Sequence, residues 1–383
     1  MADQVIVFGG GSRNTMGVVR SLGIKGVPVL LLIRADPEDN SIQFSKYVNR
    51  VHFIKSLDDG LEFLRALCCN EKKKFIVFCT SDAAICLMDE NYSELKDHFL
   101  FYNANGEQGR INYFMDKINT FPLAEESGFA AIKTWHITNV HDIPVDICYP
   151  CLTKGNNSTN CTKSEMHVCN DRNELSACLH EGVDYLVQEY IRKEYEINCI
   201  GFAYNHGRNV YVPAVVRKLR DEIGRQSVYI RLDDIRDYPD LDIASIYKLV
   251  KAIGYEGMFS VELIYSNKRY YFLEINLRSD DCCWLYTAAG INYPYLWVKY
   301  NNGTLSQDDI EAIEFQTPYY LMALHDVYNM IEGKVSCLRW IKECLTADTH
   351  FVLNCKDMCP FFVSARISIR QLFKKIKCRI MSA

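Results

Sequence analysis

Short apolar runs separated by amphipathic stretches open the chain. Val5 to Phe8 ends at Gly9-Gly10-Gly11, helical spacing follows from Met16 to Leu22, and a second apolar run covers Val27 to Ile33. Continuous apolar runs bounded by glycine predict buried strands, so the order reads β-loop-α-β. Val51 to Ile54, a helical Leu57 to Cys69, Phe75 to Cys79 and a helix opened by Asp82 extend the alternation. That predicts a parallel sheet with crossover helices over residues 1–112. A dinucleotide fingerprint is the first candidate chemistry for such a turn, but Asn14 stands where its third glycine belongs and Arg34 follows the second strand in place of an acid. The turn is therefore expected to be a tight strand-to-helix connection without a nucleotide.

From residue 112 onward the pattern changes. A helix is predicted from Asp116 to Ser127, then strands Cys151 to Lys154, Leu186 to Tyr190, Ile197 to Phe202, Val210 to Val216 and Ser227 to Arg231. A helix from Asp242 to Ile253 precedes strands Phe259 to Ile264 and Tyr270 to Ile275, joined at Ser266-Asn267-Lys268. Consecutive short strands of this kind predict antiparallel α+β structure.

Charge narrows the function classes. The chain of 383 residues carries 43 Lys and Arg against 48 Asp and Glu, which argues against a nucleic-acid partner. The balance is uneven, because residues 361–383 hold six bases and no acid. There Ala365, Ile369, Leu372, Phe373, Ile376 and Ile380 recur at helical spacing, a basic amphipathic pattern that suits docking on the acidic body or peripheral contact with an anionic membrane. No basic segment leads into an apolar stretch at the start, and Cys282 to Val298 is interrupted by Gly290, Asn292 and Pro294. A cytoplasmic protein without a membrane span is expected, with the tail as a candidate contact to the inner membrane face. Seventeen cysteines, an odd number, fit free thiols, and Cys148, Cys151, Cys355 and Cys359 lack the partners of a zinc site.

The chemistry concentrates on the later strands. Side chains alternate along a strand, so Glu274 and Asn276 share a face, with Arg278 continuing it. A short hairpin brings Glu262 alongside. Two carboxylates and an amide oxygen are hard ligands suited to magnesium bridging nucleotide phosphates, and a guanidinium beside them suits a phosphoryl group or a carboxylate. Lys117 follows Asp116 at a helix start, and Lys154 leads into the polar loop Gly155 to Thr162. Leu186-Val-Gln-Glu-Tyr-Ile191 reads as a strand entering an extended connection that can present backbone groups to a base edge, with Glu196 beyond it for ribose hydroxyls.

Taken in order over roughly 190 residues, Asp116-Lys117, Tyr149-Pro150 to Lys154, Gln188 to Ile191 with Glu196, Glu262, and Glu274-Ile275-Asn276 with Arg278 resemble the ATP-grasp superfamily. Within it the chain is most similar to D-aspartate ligase-like and polysaccharide-cluster carboxylate-amine ligases. The resemblance implies an α/β and α+β chain with a Rossmann-like pre-ATP-grasp domain at 1–112, an ATP-grasp small lobe at 113–195 and a large lobe at 196–305. A C-terminal helical extension with the basic tail is expected at 306–383. It also implies that Lys117 and Lys154 hold ATP phosphates, that Gln188, Glu189, Tyr190 and Ile191 frame the adenine, and that Glu196 takes the ribose. Glu262, Glu274 and Asn276 would bind two magnesium ions, and Arg278 would face the γ-phosphate, with Lys218 and Arg220 as further catalytic candidates.

Three departures from the family pattern stand out. The loop after Lys154 holds only Gly155, Leu277 replaces the usual proline, and Ser279-Asp280-Asp281-Cys282-Cys283 follows Arg278. The expected activity is a carboxylate-amine ligase passing through an acyl phosphate, acting on a small-molecule carboxylate and an amine. A non-catalytic nucleotide-binding protein and a kinase or carboxylase-type enzyme on the same scaffold are the alternatives.

Overall fold

The computed structural model describes residues 5–34, 41–68, 74–139, 141–155, 166–221, 227–367 and 370. The first unit is the expected parallel sheet. Strands β1 (Val5–Gly9), β2 (Val29–Arg34), β3 (Val48–Ile54), β4 (Phe75–Cys79) and β5 (Phe99–Leu100) lie in the order β3-β2-β1-β4-β5. The helices are α1 (Arg13–Gly23), α2 (Leu57–Cys68), α3 (Asp82–Glu90) and the single turn α4 (Tyr92–Leu95). The central strands β1 and β4 are buried along their whole length, as parallel strands covered on both faces must be. Gly9 is explained by packing: a Cβ there would come within 2.2 Å of Thr80 Oγ1. Helix α1 starts at the Ser12 cap, and α3 starts at the Ser81 cap beyond the carboxyl end of β4.

The chain then passes through β6 (Asn103–Ala104), α5 (Arg110–Met115) and α6 (Lys117–Ser127), the last capped by Asp116. Strand β6 pairs with a strand of the large lobe rather than with the parallel sheet, so the first sheet ends before residue 112. The small lobe is a four-stranded sheet in the order β7-β10-β8-β9, built from β7 (Thr134–Ile137), β8 (Cys151–Gly155), β9 (Val168–Cys169) and β10 (Tyr185–Glu189), with α7 (Arg172–Cys178). It has its own small core around Ile137, Ile147, Leu175 and Val187, separate from the core shared by the first unit and the large lobe.

The large lobe holds β11 (Tyr195–Tyr204), β12 (Asn209–Tyr211), β13 (Ala214–Asp221), β14 (Ser227–Asp234), α8 (Ile243–Ile253), β15 (Tyr255–Ser266) and β16 (Arg269–Asn276). The strand expected from Val210 to Val216 is two strands, because the chain breaks at Val212-Pro213, where proline offers no N–H to a ladder. Helices α9 (Cys283–Ala289), α10 (Tyr293–Asn301) and α11 (Gln307–Glu311) follow, then β17 (Tyr319–Met322), α12 (Val327–Ile331), α13 (Cys337–Thr346) and β18 (Thr349–His350). The extension from 306 is therefore not purely helical: β17 pairs with β14 and carries β18, widening the large-lobe sheet. Residues 359–367 are helical, and most of the basic tail beyond them lies outside the described residues.

Helix α1 packs against α9, where Ser21 Oγ meets Thr287 Oγ1 at 2.7 Å and Gly17 lies so close to Trp284 that a Cβ would sit 3.0 Å from its backbone nitrogen. Asn14, buried, donates to Thr80 O at 3.0 Å and Ser279 O at 2.6 Å, tying the first unit to the segment after Arg278.

Candidate functional site

One face of the large-lobe sheet collects the ionisable side chains. Asn198 on β11 is the register partner of Glu262 on β15, and Glu262 is the partner of Glu274 on β16. Glu196 lies two residues from Asn198, and Lys218 two residues from Asn198's partner Val216 on β13, so both project to that same face. The β15-β16 hairpin turns at Asn267 and Lys268, both at positive φ. Counted regularly from that turn, Glu262 would oppose Leu273. A register shift beyond the Leu263-Phe272 pair inserts one residue on β16, which brings Glu274 opposite Glu262 and Asn276 opposite Ser260. Without that bulge the two carboxylates would lie on opposite faces.

Two facing carboxylates repel, and cations hold them. Lys117 Nζ, at the start of α6, lies 3.2 Å from Glu274 Oε2. Lys218 Nζ is 2.9 Å from Glu262 Oε2 and also bonds Glu196, whose other oxygen takes Lys193 at 2.9 Å. Asn276 Oδ1 accepts from Arg278 Nη2 at 3.3 Å. Each of the three residues suited to a divalent cation is thus engaged by a cationic side chain. Burial would push the Glu274 carboxyl up, but Lys117, Lys154 and Lys218 together hold it down, to about 2. Burial raises Glu262, with Glu274 opposite adding to the rise and Lys218 opposing it. Burial opposes the charge on Lys218, yet Glu262 and Glu196 raise it well above the ordinary lysine value. Burial is likewise overcome at Glu196, which Lys218 and Lys193 pull down.

Lys154 sits differently. It is buried on β8 with its Nζ 5.0 Å from the Phe121 ring centroid, and burial together with the Lys117 charge lowers it to about 7. The polar loop after Gly155 lies outside the described residues.

Of the connection expected to frame a base, the Gln188 side chain is turned to Thr134 Oγ1 at 2.8 Å, the Glu189 N–H donates to Lys133 O at 2.9 Å and the Tyr190 N–H to Pro150 O at 3.0 Å. The Tyr190 ring is exposed. A cavity of about 420 Å³ opens beside this connection, lined by Phe121, Ala130, Ile132, Lys133, Thr134 and Phe272. It is lined by neither Glu262 nor Glu274, so it is not the phosphate end of the site.

Arg278 is half-buried and gripped from the first unit: its Nε donates to Asp82, at the start of α3, and its Nη1 to Ser279 O at 3.0 Å. Asp82 and Asp280 raise its pKa against burial. Sequence reasoning left Asp82 out of the site, although the carboxyl end of a strand in a parallel sheet is where functional groups gather. It also left out Asp280, which accepts from Ser260 Oγ at 3.1 Å and Asn198 Nδ2 at 3.3 Å beneath the carboxylate pair.

Arg220 does not join this cluster. A register irregularity between Lys218 and Arg220 separates their surroundings, and the Arg220 guanidinium is taken up by Asp326 and by Glu343 at 2.8 Å. Its position corrects the expectation that it works beside Lys218: it fastens the C-terminal extension to β13.

Among solved structures the chain is similar to L-amino acid ligase from Bacillus licheniformis, with a TM-score of 0.64 at 14% identity over 82% of this chain and 77% of that one. It is also similar to a biotin carboxylase from Campylobacter jejuni in complex with β-γ-ATP, with a TM-score of 0.62 at 16% identity over 83% and 74%. N5-carboxyaminoimidazole synthase from Aspergillus clavatus, in complex with ADP and an aminoimidazole ribonucleotide, gives 0.61 at 12% identity over 84% and 82%. No family model and no curated protein matches the sequence. The chain has the ATP-grasp fold.

Proposed function

We propose that this protein is an ATP-dependent carboxylate-amine ligase of the ATP-grasp superfamily, of the kind related to D-aspartate ligase. The observation that carries the reading is the half-buried Glu262-Glu274 pair with Asn276, each engaged by a cation beside Lys154. Such an arrangement is costly to fold for its own sake, because like charges directly opposite one another destabilise a sheet. It suits a site that exchanges protein cations for a metal and a triphosphate.

The donor set fits magnesium: two carboxylates and an amide oxygen are hard ligands, with no thiol or imidazole among them. Glu262, Glu274 and Asn276 would hold the ion or ions, which when bound supply charge neutralisation along the phosphates. Lys117 and Lys154 take phosphate oxygens, and the exposed connection at Tyr190 and Ile191 meets the base. In the reaction a substrate carboxylate oxygen attacks the γ-phosphorus, forming an acyl phosphate and releasing ADP. The amine nitrogen then attacks the acyl carbon and phosphate leaves. No protein nucleophile is required, and catalysis rests on positioning and charge. Arg278, held between Asp82 and Asn276, faces the phosphate and acyl oxygens where negative charge develops.

The test is ADP and phosphate release with panels of carboxylates, with and without amines, together with mass spectrometry of products. A condensation product carrying both substrates supports the ligase. ADP release with bicarbonate alone would favour the carboxylase-type chemistry named for two of the similar structures. Nucleotide binding without turnover on any panel would make the chain a binding protein.

A further inference from the structure

Helix α13 stands out from the body with two unlike faces. At 100° per residue, Trp340, Glu343 and Cys344 form its inner side, where Glu343 bonds Arg220. Leu338, Ile341, Lys342 and Leu345 fall within about 100° of arc on the opposite side. Leu338 is 83% exposed and Leu345 80% exposed, and Ile341 is exposed as well. Ile331, at the end of the neighbouring α12, adds a further exposed apolar side chain. Apolar residues at this spacing on an exposed face mark a docking surface rather than scattered surface residues.

Charge identifies the occupant. Residues 327–383 hold ten bases and four acids, while the rest of the chain holds 33 bases and 44 acids. Two of those four acids are directed inward, Glu343 to Arg220 and Asp357 to Arg20. The outer surface of α13 instead presents Lys342 beside the leucines, flanked by the exposed Arg339, which is ion-paired with Glu343. A second copy would bring the same basic face against this one, and the basic tail would bring more positive charge, so both are opposed electrostatically. An anionic bilayer offers what the face lacks, an apolar layer beneath negative headgroups.

We propose that α13 docks on anionic lipid bilayers, with Leu338, Ile341 and Leu345 entering the interface and Lys342 and the flanking bases meeting headgroups. The catalytic unit is thereby held at a membrane surface.

The experiment uses the full chain with phosphatidylcholine vesicles and with vesicles containing about one third phosphatidylglycerol, at about 0.05 M and about 0.5 M salt. Sedimentation with the anionic vesicles at low salt is expected, falling roughly tenfold without phosphatidylglycerol or at high salt. The variant Leu338→Glu/Leu345→Glu should lose roughly tenfold in binding while keeping its thermal midpoint, since both side chains are exposed. Lys342→Glu should weaken binding on its own without altering any apolar contact. No sedimentation of wild type, equal sedimentation with both vesicle types, or variants that bind like wild type would overturn the proposal. A concentration-dependent dimer abolished by Leu338→Glu/Leu345→Glu would overturn it in favour of a homotypic interface.

Discussion

Two sets of ion pairs hold this molecule, one buried and one half-buried, and they are built from different cations. Away from the site they are arginine staples. Arg20 is fully buried, its Nε 3.0 Å from Asp357 Oδ2, its Nη1 3.0 Å from Phe351 O and its Nη2 2.7 Å from Val352 O. Asp357 is completed by Ser45 Oγ at 2.9 Å and the Lys46 N–H at 3.0 Å. Arg220 repeats the pattern with Asp326 and Glu343. At the site the carboxylates are met mostly by lysines, each a compact charge making one or two contacts with no fixed fork. The difference teaches which cations can leave. A planar guanidinium held through several donors at once is part of the architecture, while an ammonium held by one oxygen is released when phosphates offer more. Arg278 stands between the two sets, anchored by Asp82 like a staple yet directed at Asn276.

Breaking the strongest staple gives the largest effect. Arg20→Met leaves Asp357 buried and uncompensated and should cost about 3 to 5 kcal/mol in urea unfolding. Arg220→Met should cost less, about 1 to 3 kcal/mol, because Asp326 keeps Asn329 Nδ2 at 2.7 Å and Glu343 keeps Arg339 at 2.8 Å. Nucleotide affinity should be unchanged in Arg220→Met; a weakened Mg-ATP constant would return Arg220 to the site. Lys117→Met should do the opposite, weakening Mg-ATP roughly tenfold by calorimetry while leaving the urea midpoint nearly in place.

The smallest effect concerns protons. Lys154 is lowered to about 7 in the free protein against an ordinary value of 10.5. A base lowered on folding binds fewer protons folded than unfolded between those two values, so its burial penalty is full below pH 7 and is relieved as pH rises toward 10.5. Phosphates beside it favour the charged form. Nucleotide binding near pH 8 should therefore take up close to one proton, read as a binding enthalpy that varies with buffer ionisation enthalpy. Lys154→Met should abolish that dependence, and an unchanged dependence would separate Lys154 from the phosphates.

Much of the fold was legible because it depends on local patterns. Phe75 to Cys79 was bounded to the residue, and Ser81, Asp116 and Asp242 mark helix starts with side-chain caps. The site was legible as a set of residue types, but its geometry was not. Period-two counting puts Glu274 and Asn276 together, yet their meeting with Glu262 depends on the bulge at β16, an extra residue that no local composition announces. The Asp82 contact to Arg278 joins residues 196 positions apart and arises only when the first unit packs on the large lobe. Arg220 was named with Lys218 from the family resemblance, which carries no information about the register irregularity that separates the two. The strands β17 and β18 escaped notice because each is short and gains its partners only from the completed sheet.

The central claim is that the Glu262-Glu274-Asn276 face is where magnesium and nucleotide meet. Calorimetric titration of Glu274→Gln with a non-hydrolysable ATP analogue in magnesium tests it most directly, with Arg220→Met, a one-unit charge change of the opposite sign outside the site, as the folded control. The account predicts that Glu274→Gln loses roughly tenfold or more in affinity and the magnesium dependence of binding, while Arg220→Met binds like wild type. Wild-type affinity and wild-type magnesium dependence in folded Glu274→Gln would contradict it.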